Sequence, residues 1–250
     1  MMRCFIFILW MSLSLFADDT VSISLRGKAQ LLARIQPDKG VARGTVIFLP
    51  GDGGWRGAAV GIARTIASMG YEVFGFDTKK YLETFSQNGM KLSQEQLAED
   101  IRALAGNFYL NSPKPVILAG WSQGAGMAVA AVSGKSARGP IHGIITIGLP
   151  ESAVLGWDWK ATLAIIARRE PDQPNFRVKP LLGRISPTPI WMIHGAEDEY
   201  TSYEVERALF QAASEPKRFE EIAGANHRFD AHQSELYRSL KAGLEWIAAK

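Results

Sequence analysis

From residue 45 onward, short apolar runs alternate with stretches whose apolar residues recur at helical spacing. Thr45-Val-Ile-Phe-Leu49, Tyr71-Glu-Val-Phe-Gly-Phe76 and Pro115-Val-Ile-Leu-Ala119 have the length and the β-branched or aromatic content of buried strands, and 141–149, 189–194 and 218–222 add three more. Between them, 58–69 carries an i, i+3, i+4 pattern that stops at Gly70, and 93–108 opens on the capping-box signature Ser93-Gln-Glu-Gln96. Segments 202–213 and 234–249 predict two further helices, and a helix at 124–132 follows the third strand. Ahead of this core, 21–25 and 29–35 alternate as a hairpin does, with Gly27 at the turn. Strands that alternate with helices predict right-handed crossovers, hence an α/β fold with a mostly parallel, doubly wound sheet.

The alternation breaks at 150–188, which holds Trp157-Asp-Trp159, a short apolar stretch to Ile166 and then a Pro- and charge-rich run. Such a segment is either a small cap over a site or a surface excursion. A chain of 250 residues, 47% of them hydrophobic, suffices for one domain with a large core. Its start, Met1-Met-Arg3 followed by an apolar stretch from Cys4 to Phe16 and then Ala17-Asp-Asp19, predicts a cleaved signal peptide over 1–17 and a single domain over 18–250. The stretch is shorter than the roughly 20 residues a spanning helix needs. Cys4, the single cysteine, lies in that leader, so the secreted chain has neither disulfides nor thiolate metal ligands. A net charge of +3 without a long cationic run is no footprint for nucleic acid, and leaves peripheral contact with an anionic membrane open.

Gly120-Trp-Ser-Gln-Gly124 matches G-x-S-x-G directly after an apolar strand and before a small-residue helix. This is the context of the nucleophile elbow in the α/β-hydrolases, where the turn exposes the serine hydroxyl and the flanking glycines let the backbone pass. Ser122 is the candidate nucleophile, and the Gln123 amide at the helix N-terminus is a candidate oxyanion donor. A serine of this kind needs a base, and the base needs a carboxylate to set its tautomer. In the order serine, acid, histidine, the acid follows the strand at 189–194, where Gly195-Ala-Glu-Asp198-Glu stands. Asp198 is preferred, with Glu197 and Glu199 as rivals. Of the four histidines, His227 lies between the last strand and the last helix, where this fold carries its base; His142, His194 and His232 read as structural.

The loop Pro50-Gly-Asp-Gly-Gly-Trp55 offers the second oxyanion donor, the amide of Asp52 or alternatively of Gly53. Its carboxylate has two readings, contact with a substrate ammonium group or capping of the next helix. Lys79, Lys80 and Arg56 read either as phosphate contacts or as a solvated rim, and Trp55, Trp121 and Trp157 as pocket lining or core. No HExxH motif or cysteine cluster appears, and the chemistry requires no cofactor or metal.

Together, Gly51-Asp-Gly-Gly-Trp55, Asp77-Thr-Lys-Lys-Tyr81, the serine elbow and His227-Arg-Phe-Asp230 resemble the bacterial virulence protein VirJ and AcvB family of α/β-hydrolases. At the elbow this chain continues Gly124-Ala-Gly126, where the family pattern carries an acidic residue. The resemblance implies a periplasmic serine hydrolase with Ser122, Asp198 and His227 as its triad. It also implies a phospholipid substrate, the aminoacyl ester of lysyl-phosphatidylglycerol, for which Asp52, Trp55, Trp121 and Lys80 are the candidate contacts named above. A general carboxylesterase or dienelactone-hydrolase-like enzyme acting on a small-molecule ester is the first alternative. A non-catalytic scaffold with a secretion-system partner is the second.

Overall fold

The computed structural model describes residues 19–86, 91–134, 139–167, 169 and 171–250; the predicted leader 1–17 lies outside the described residues. The N-terminal hairpin pairs β1 (Asp19–Leu25) antiparallel with β2 (Lys28–Ile35). Arg26 and Gly27 both take positive φ, 47° and 73°, as a two-residue hairpin turn matched to strand twist requires.

β2 then pairs antiparallel with β4 (Glu72–Phe76), and β3 (Thr45–Leu49), β5 (Val116–Trp121), β6 (Ile141–Ile147), β9 (Ile190–Gly195) and β10 (Lys217–Ile222) continue the sheet in parallel. The order is β1-β2-β4-β3-β5-β6-β9-β10. β3 and β4 are buried along their whole length, which explains runs that are nearly all apolar rather than alternating.

Helices cover both faces. On one, α1 (Ala58–Ser68) buries Ala59, Ile62, Ala63, Ile66 and Ala67 and joins α8 (Gln233–Ala248) over Val46, Ile117, Ile145 and Ile193. On the other, α3 (Gln94–Asn111) and α4 (Gln123–Val132) pack over Ile47, Leu118 and Ile144, with α7 (Tyr203–Ala212) beside them. The capping box forms as predicted: Ser93 Oγ accepts the Gln96 amide and Gln96 Oε1 accepts the Ser93 amide. Every residue of α4 is buried, so a helix of small residues can sit tightly on the sheet.

Sequence reading missed α2 (Thr78–Ser86), whose polar first turn hides an inward face of Tyr81, Leu82 and Phe85. Thr78 Oγ1 donates to the Pro50 carbonyl at 2.7 Å and ties this helix to the loop after β3. The 150–188 insertion holds β7 (Ser152–Val154) paired antiparallel with β8 (Asn175–Arg177), together with α5 (Trp159–Ile166) and α6 (Lys179–Leu182). Among the described residues no helix is long and apolar enough to cross a membrane.

Candidate active site

Ser122 stands between β5 and α4 with φ 53° and ψ −120°, a conformation that costs an L-residue about 1–3 kcal/mol. The surrounding structure enforces it. A Cβ at Gly120 would lie 2.6 Å from the Ala125 amide nitrogen, and one at Gly124 would lie 2.6 Å from the Pro50 carbonyl oxygen. Larger residues at either position would push the elbow off the sheet, so the two glycines of the motif are packing requirements.

The loop after β3 passes beside Ser122, the Cβ position of Gly51 lying only 3.2 Å from Ser122 Cβ. Within it the Gly54 amide donates to Gly51 O at 3.0 Å, while the Asp52 and Gly53 amides enter no backbone hydrogen bond among the described residues. The Gln123 amide, in the first turn of α4, is likewise left over by the helix. Two sets of amides without a backbone partner therefore lie close to Ser122 in the chain or in the loop beside it. The Gln123 side chain is occupied elsewhere: Nε2 donates to Val154 O and Oε1 accepts the Val154 amide, both at 2.9 Å. The elbow is thereby bolted to β7 of the insertion.

Asp198 and His227 meet from two adjacent parallel strands. Asp198 follows β9, and its Oδ2 lies 2.7 Å from His227 Nδ1, while Oδ1 accepts the Tyr200 and Thr201 amides at 2.8 and 3.0 Å. Burial raises the Asp198 carboxyl, but the hydrogen bond and charge of His227 and the two amides outweigh it and hold it below the usual carboxylate range. An ionised carboxylate is an acceptor only, so His227 Nδ1 is the donor of this hydrogen bond. Glu199 binds His227 differently, its Oε2 accepting the His227 main-chain amide at 3.1 Å.

The histidine loop is shaped locally. Asn226 Oδ1 accepts the Arg228 and Asp230 amides at 3.1 and 3.2 Å, and Phe229 takes φ 56° with its ring fully buried. Tyr200 packs edge-on to the imidazole at 4.9 Å, and Trp121 Nε1 donates to the His227 carbonyl at 3.2 Å. Gly148, at φ 54°, completes the floor: a Cβ there would lie 3.0 Å from His227 Cε1 and 3.2 Å from Asp198 Oδ2.

Ser122 and His227 line one cleft of about 610 Å3, without a hydrogen bond between them in this resting geometry. Such bonds commonly tighten only when substrate binds. Arg56, Glu151, Arg228 and Asp230 supply further charge to its wall, and Val154, Trp157, Trp121 and Val205 supply apolar surface. Val154, Trp157 and Pro171 come from the 150–188 insertion, which therefore walls the cleft.

Two expected contacts fall outside it. Trp55 packs its indole over Gly75 of β4 and edge-on to Phe48 at 6.3 Å, because a strand glycine leaves room for a ring there. Lys80 is exposed on α2, and Lys79 lies 5.9 Å from the Trp157 ring and 3.9 Å from Glu83; neither lines the cleft. Trp121, Asp52 and Arg56 do. The helix-capping reading of Asp52 does not hold, since α1 starts at Ala58 with Gly57 as its N-cap and no side-chain cap. Tyr200, Gly148 and Arg228 were missed; only their closeness in sequence to Asp198, a strand end and His227 could have signalled them.

His142 borders a separate cavity of about 720 Å3 with Arg184 and Lys250, at the N-terminal ends of β6 and β9 and away from the elbow. His194 is fully buried, and burial lowers its imidazole below the usual range against the raising effect of Asp198 and Glu221. Behind Asp198 sits Glu206 of α7, also fully buried, with neither carboxyl oxygen at hydrogen-bond geometry. Burial first, then the charge of Asp198, raises this carboxyl well above its usual range, the Leu149 backbone opposing only in part. Among the described residues no group of three or more His, Cys, Asp or Glu is placed to hold a metal ion.

Solved α/β-hydrolases share this architecture. Est1E from Butyrivibrio proteoclasticus superposes with a TM-score of 0.68 at 17% identity, covering 92% of this chain and 99% of its own. The α/β hydrolase GrgF from Penicillium sp. sh18 gives 0.71 at 15% identity over 93% and 99%, and the dienelactone hydrolase from Anabaena variabilis gives 0.65 at 15% over 91% and 96%. At such identities the likeness is one of fold. No curated protein sequence matches the chain. The family described as bacterial virulence protein (VirJ) matches residues 44–244.

Proposed function

The chain belongs to the family of the bacterial virulence protein VirJ, and from that membership we propose that it is a serine hydrolase cleaving a carboxylic ester through an acyl-serine intermediate. The observation that carries this reading is the buried Asp198–His227 pair, 2.7 Å apart, whose histidine lines the same cleft as a serine held at φ 53°. Ser122 Oγ attacks the ester carbonyl carbon while its proton passes to His227 Nε2. The free amides of Gln123 and of Asp52 or Gly53 receive the charge on the carbonyl oxygen. Collapse of the tetrahedral intermediate expels the alcohol, which takes the proton from His227. A water then attacks the acyl-serine with the same histidine as base, releasing the acid and restoring Ser122. Asp198 stays ionised throughout and stabilises the imidazolium.

For the substrate we propose the aminoacyl ester of lysyl-phosphatidylglycerol, met in the periplasm after cleavage of the leader. The cleft carries carboxylates at Asp52, Glu151 and Asp230 for a lysyl ammonium group, and guanidinium groups at Arg56 and Arg228 for a phosphate. A general carboxylesterase acting on small esters is the second reading, favoured by the apolar wall of Val154, Trp157 and Val205.

Incubating the protein and Ser122→Ala with lysyl-phosphatidylglycerol and with a short-chain chromogenic ester separates these readings. Serine-dependent release of lysine supports the lipid ester, and serine-dependent turnover of the chromogenic ester alone supports the general esterase. Inactivity on both overturns the hydrolase reading and favours a scaffold that binds a secretion-system partner.

A further inference from the structure

Leu31 and Val41 are exposed singly and Leu110 only beside Tyr109, but Trp159, Leu163 and Ile166 gather on α5. Spacings of four and three residues put them on one helical face, and they are 68%, 54% and 74% exposed. Ala161, across the helix, is 1% exposed. Three large apolar side chains of this helix therefore face outward together. Cations border this face: Lys160 Nζ lies 5.9 Å from the Trp159 ring, and Arg169 is exposed just past the helix. Of the nearby acids among the described residues, Asp158 is engaged in accepting the Ala161 amide at 2.8 Å, and Asp172 is exposed farther on.

We propose that this face of α5 docks on an anionic lipid bilayer and holds the cleft beside the headgroup layer. The proposal deepens the lipid-ester reading of the same site. Trp157, two residues before α5, and Pro171, five residues after it, both line the cleft, so a docked helix brings the cleft wall to the membrane. A bilayer suits the face better than a second copy of the chain. A helix of eight residues is about 12 Å long, far too small to supply the roughly 800 Å2 per partner of a stable protein interface. An interfacial helix needs only to sink Trp, Leu and Ile about 5–10 Å while flanking cations meet anionic headgroups.

The test uses the chain beginning at Asp18, which keeps every described residue, in flotation with vesicles of phosphatidylcholine alone or mixed with phosphatidylglycerol. The unmodified protein is expected to float with the mixed vesicles and not with phosphatidylcholine alone. Combined Trp159→Ser, Leu163→Ser and Ile166→Ser should lower the partition coefficient at least about tenfold, and Lys160→Glu with Arg169→Glu should abolish the preference for phosphatidylglycerol. Short-chain ester turnover should stay unchanged in both variants, since none of these residues lines the cleft. Absence of vesicle binding by the unmodified protein, or equal binding by the triple variant, overturns the proposal. So does a concentration-dependent dimer that the triple variant abolishes while vesicles stay unbound. Loss of serine-dependent ester turnover with binding intact would strike the hydrolase reading alone.

Discussion

The Glu199 carboxylate accepts a hydrogen bond from the main-chain amide of His227 at 3.1 Å. Two adjacent carboxylates therefore grip one histidine, Asp198 by the ring and Glu199 by the backbone, with different consequences when each is altered. Asp198→Asn replaces an obligatory acceptor and favours the wrong imidazole tautomer, so kcat on a short ester should fall roughly 10^3- to 10^4-fold. Glu199→Gln keeps an acceptor oxygen and should cost less than about threefold, whereas Glu199→Ala frees the loop and should cost about tenfold. Steady-state kinetics of the three variants distinguishes them; equal losses in all would contradict the division of labour.

Ser122 carries the strain of the elbow, and a residue without Cβ releases it. Ser122→Gly and Ser122→Ala should both be inactive, yet the glycine variant should be the more stable by about 1 kcal/mol, or about 2–4 °C in Tm. Parallel thermal melts check this, and an alanine variant as stable as the glycine one would remove the strain argument.

Gln123 joins the elbow to the insertion through both backbone groups of Val154. Gln123→Ala leaves a buried N–H and C=O unpaired and should destabilise the protein by about 2–4 kcal/mol in urea unfolding. Its own amide persists, so KM should rise more than kcat falls. A variant with wild-type stability would show that Val154 finds other partners.

Glu206 holds its proton in the folded protein far above the pH at which an unfolded glutamate loses it. Between an unfolded pKa of about 4.3 and the raised folded value, the native state binds more protons than the unfolded one. Stability is then fully present below the unfolded value and is lost as pH rises through the folded one. Glu206→Met, similar in volume and apolar, removes that loss. It should change little near about pH 4 and stabilise by about 1–3 kcal/mol near about pH 8. Denaturant melts at the two pH values read the difference directly; a gain independent of pH would point to packing instead.

Local chemistry was enough to mark the elbow, the capping box at Ser93, the Gly27 turn and the β-α alternation, because each depends on residues adjacent in the chain. Chain order also ranked Asp198 and His227, but it left Glu197 and Glu199 as rivals. Only the parallel pairing of β9 with β10, which sets Ile193 against Glu220 and Gly195 against Ile222, brings the two following loops together. There a single carboxylate reaches Nδ1 while its neighbour turns to the backbone. Trp55 and Lys80 show the converse. Their types suit a binding site, but the gap above Gly75 and the outward side of α2 claim them, and neither cause is written near them in the sequence. Sequence by itself determined the elements and the chemistry available at their ends. Which side chains share the cleft, and which helix face is left without cover, was decided by tertiary packing, because those contacts join residues far apart in the chain.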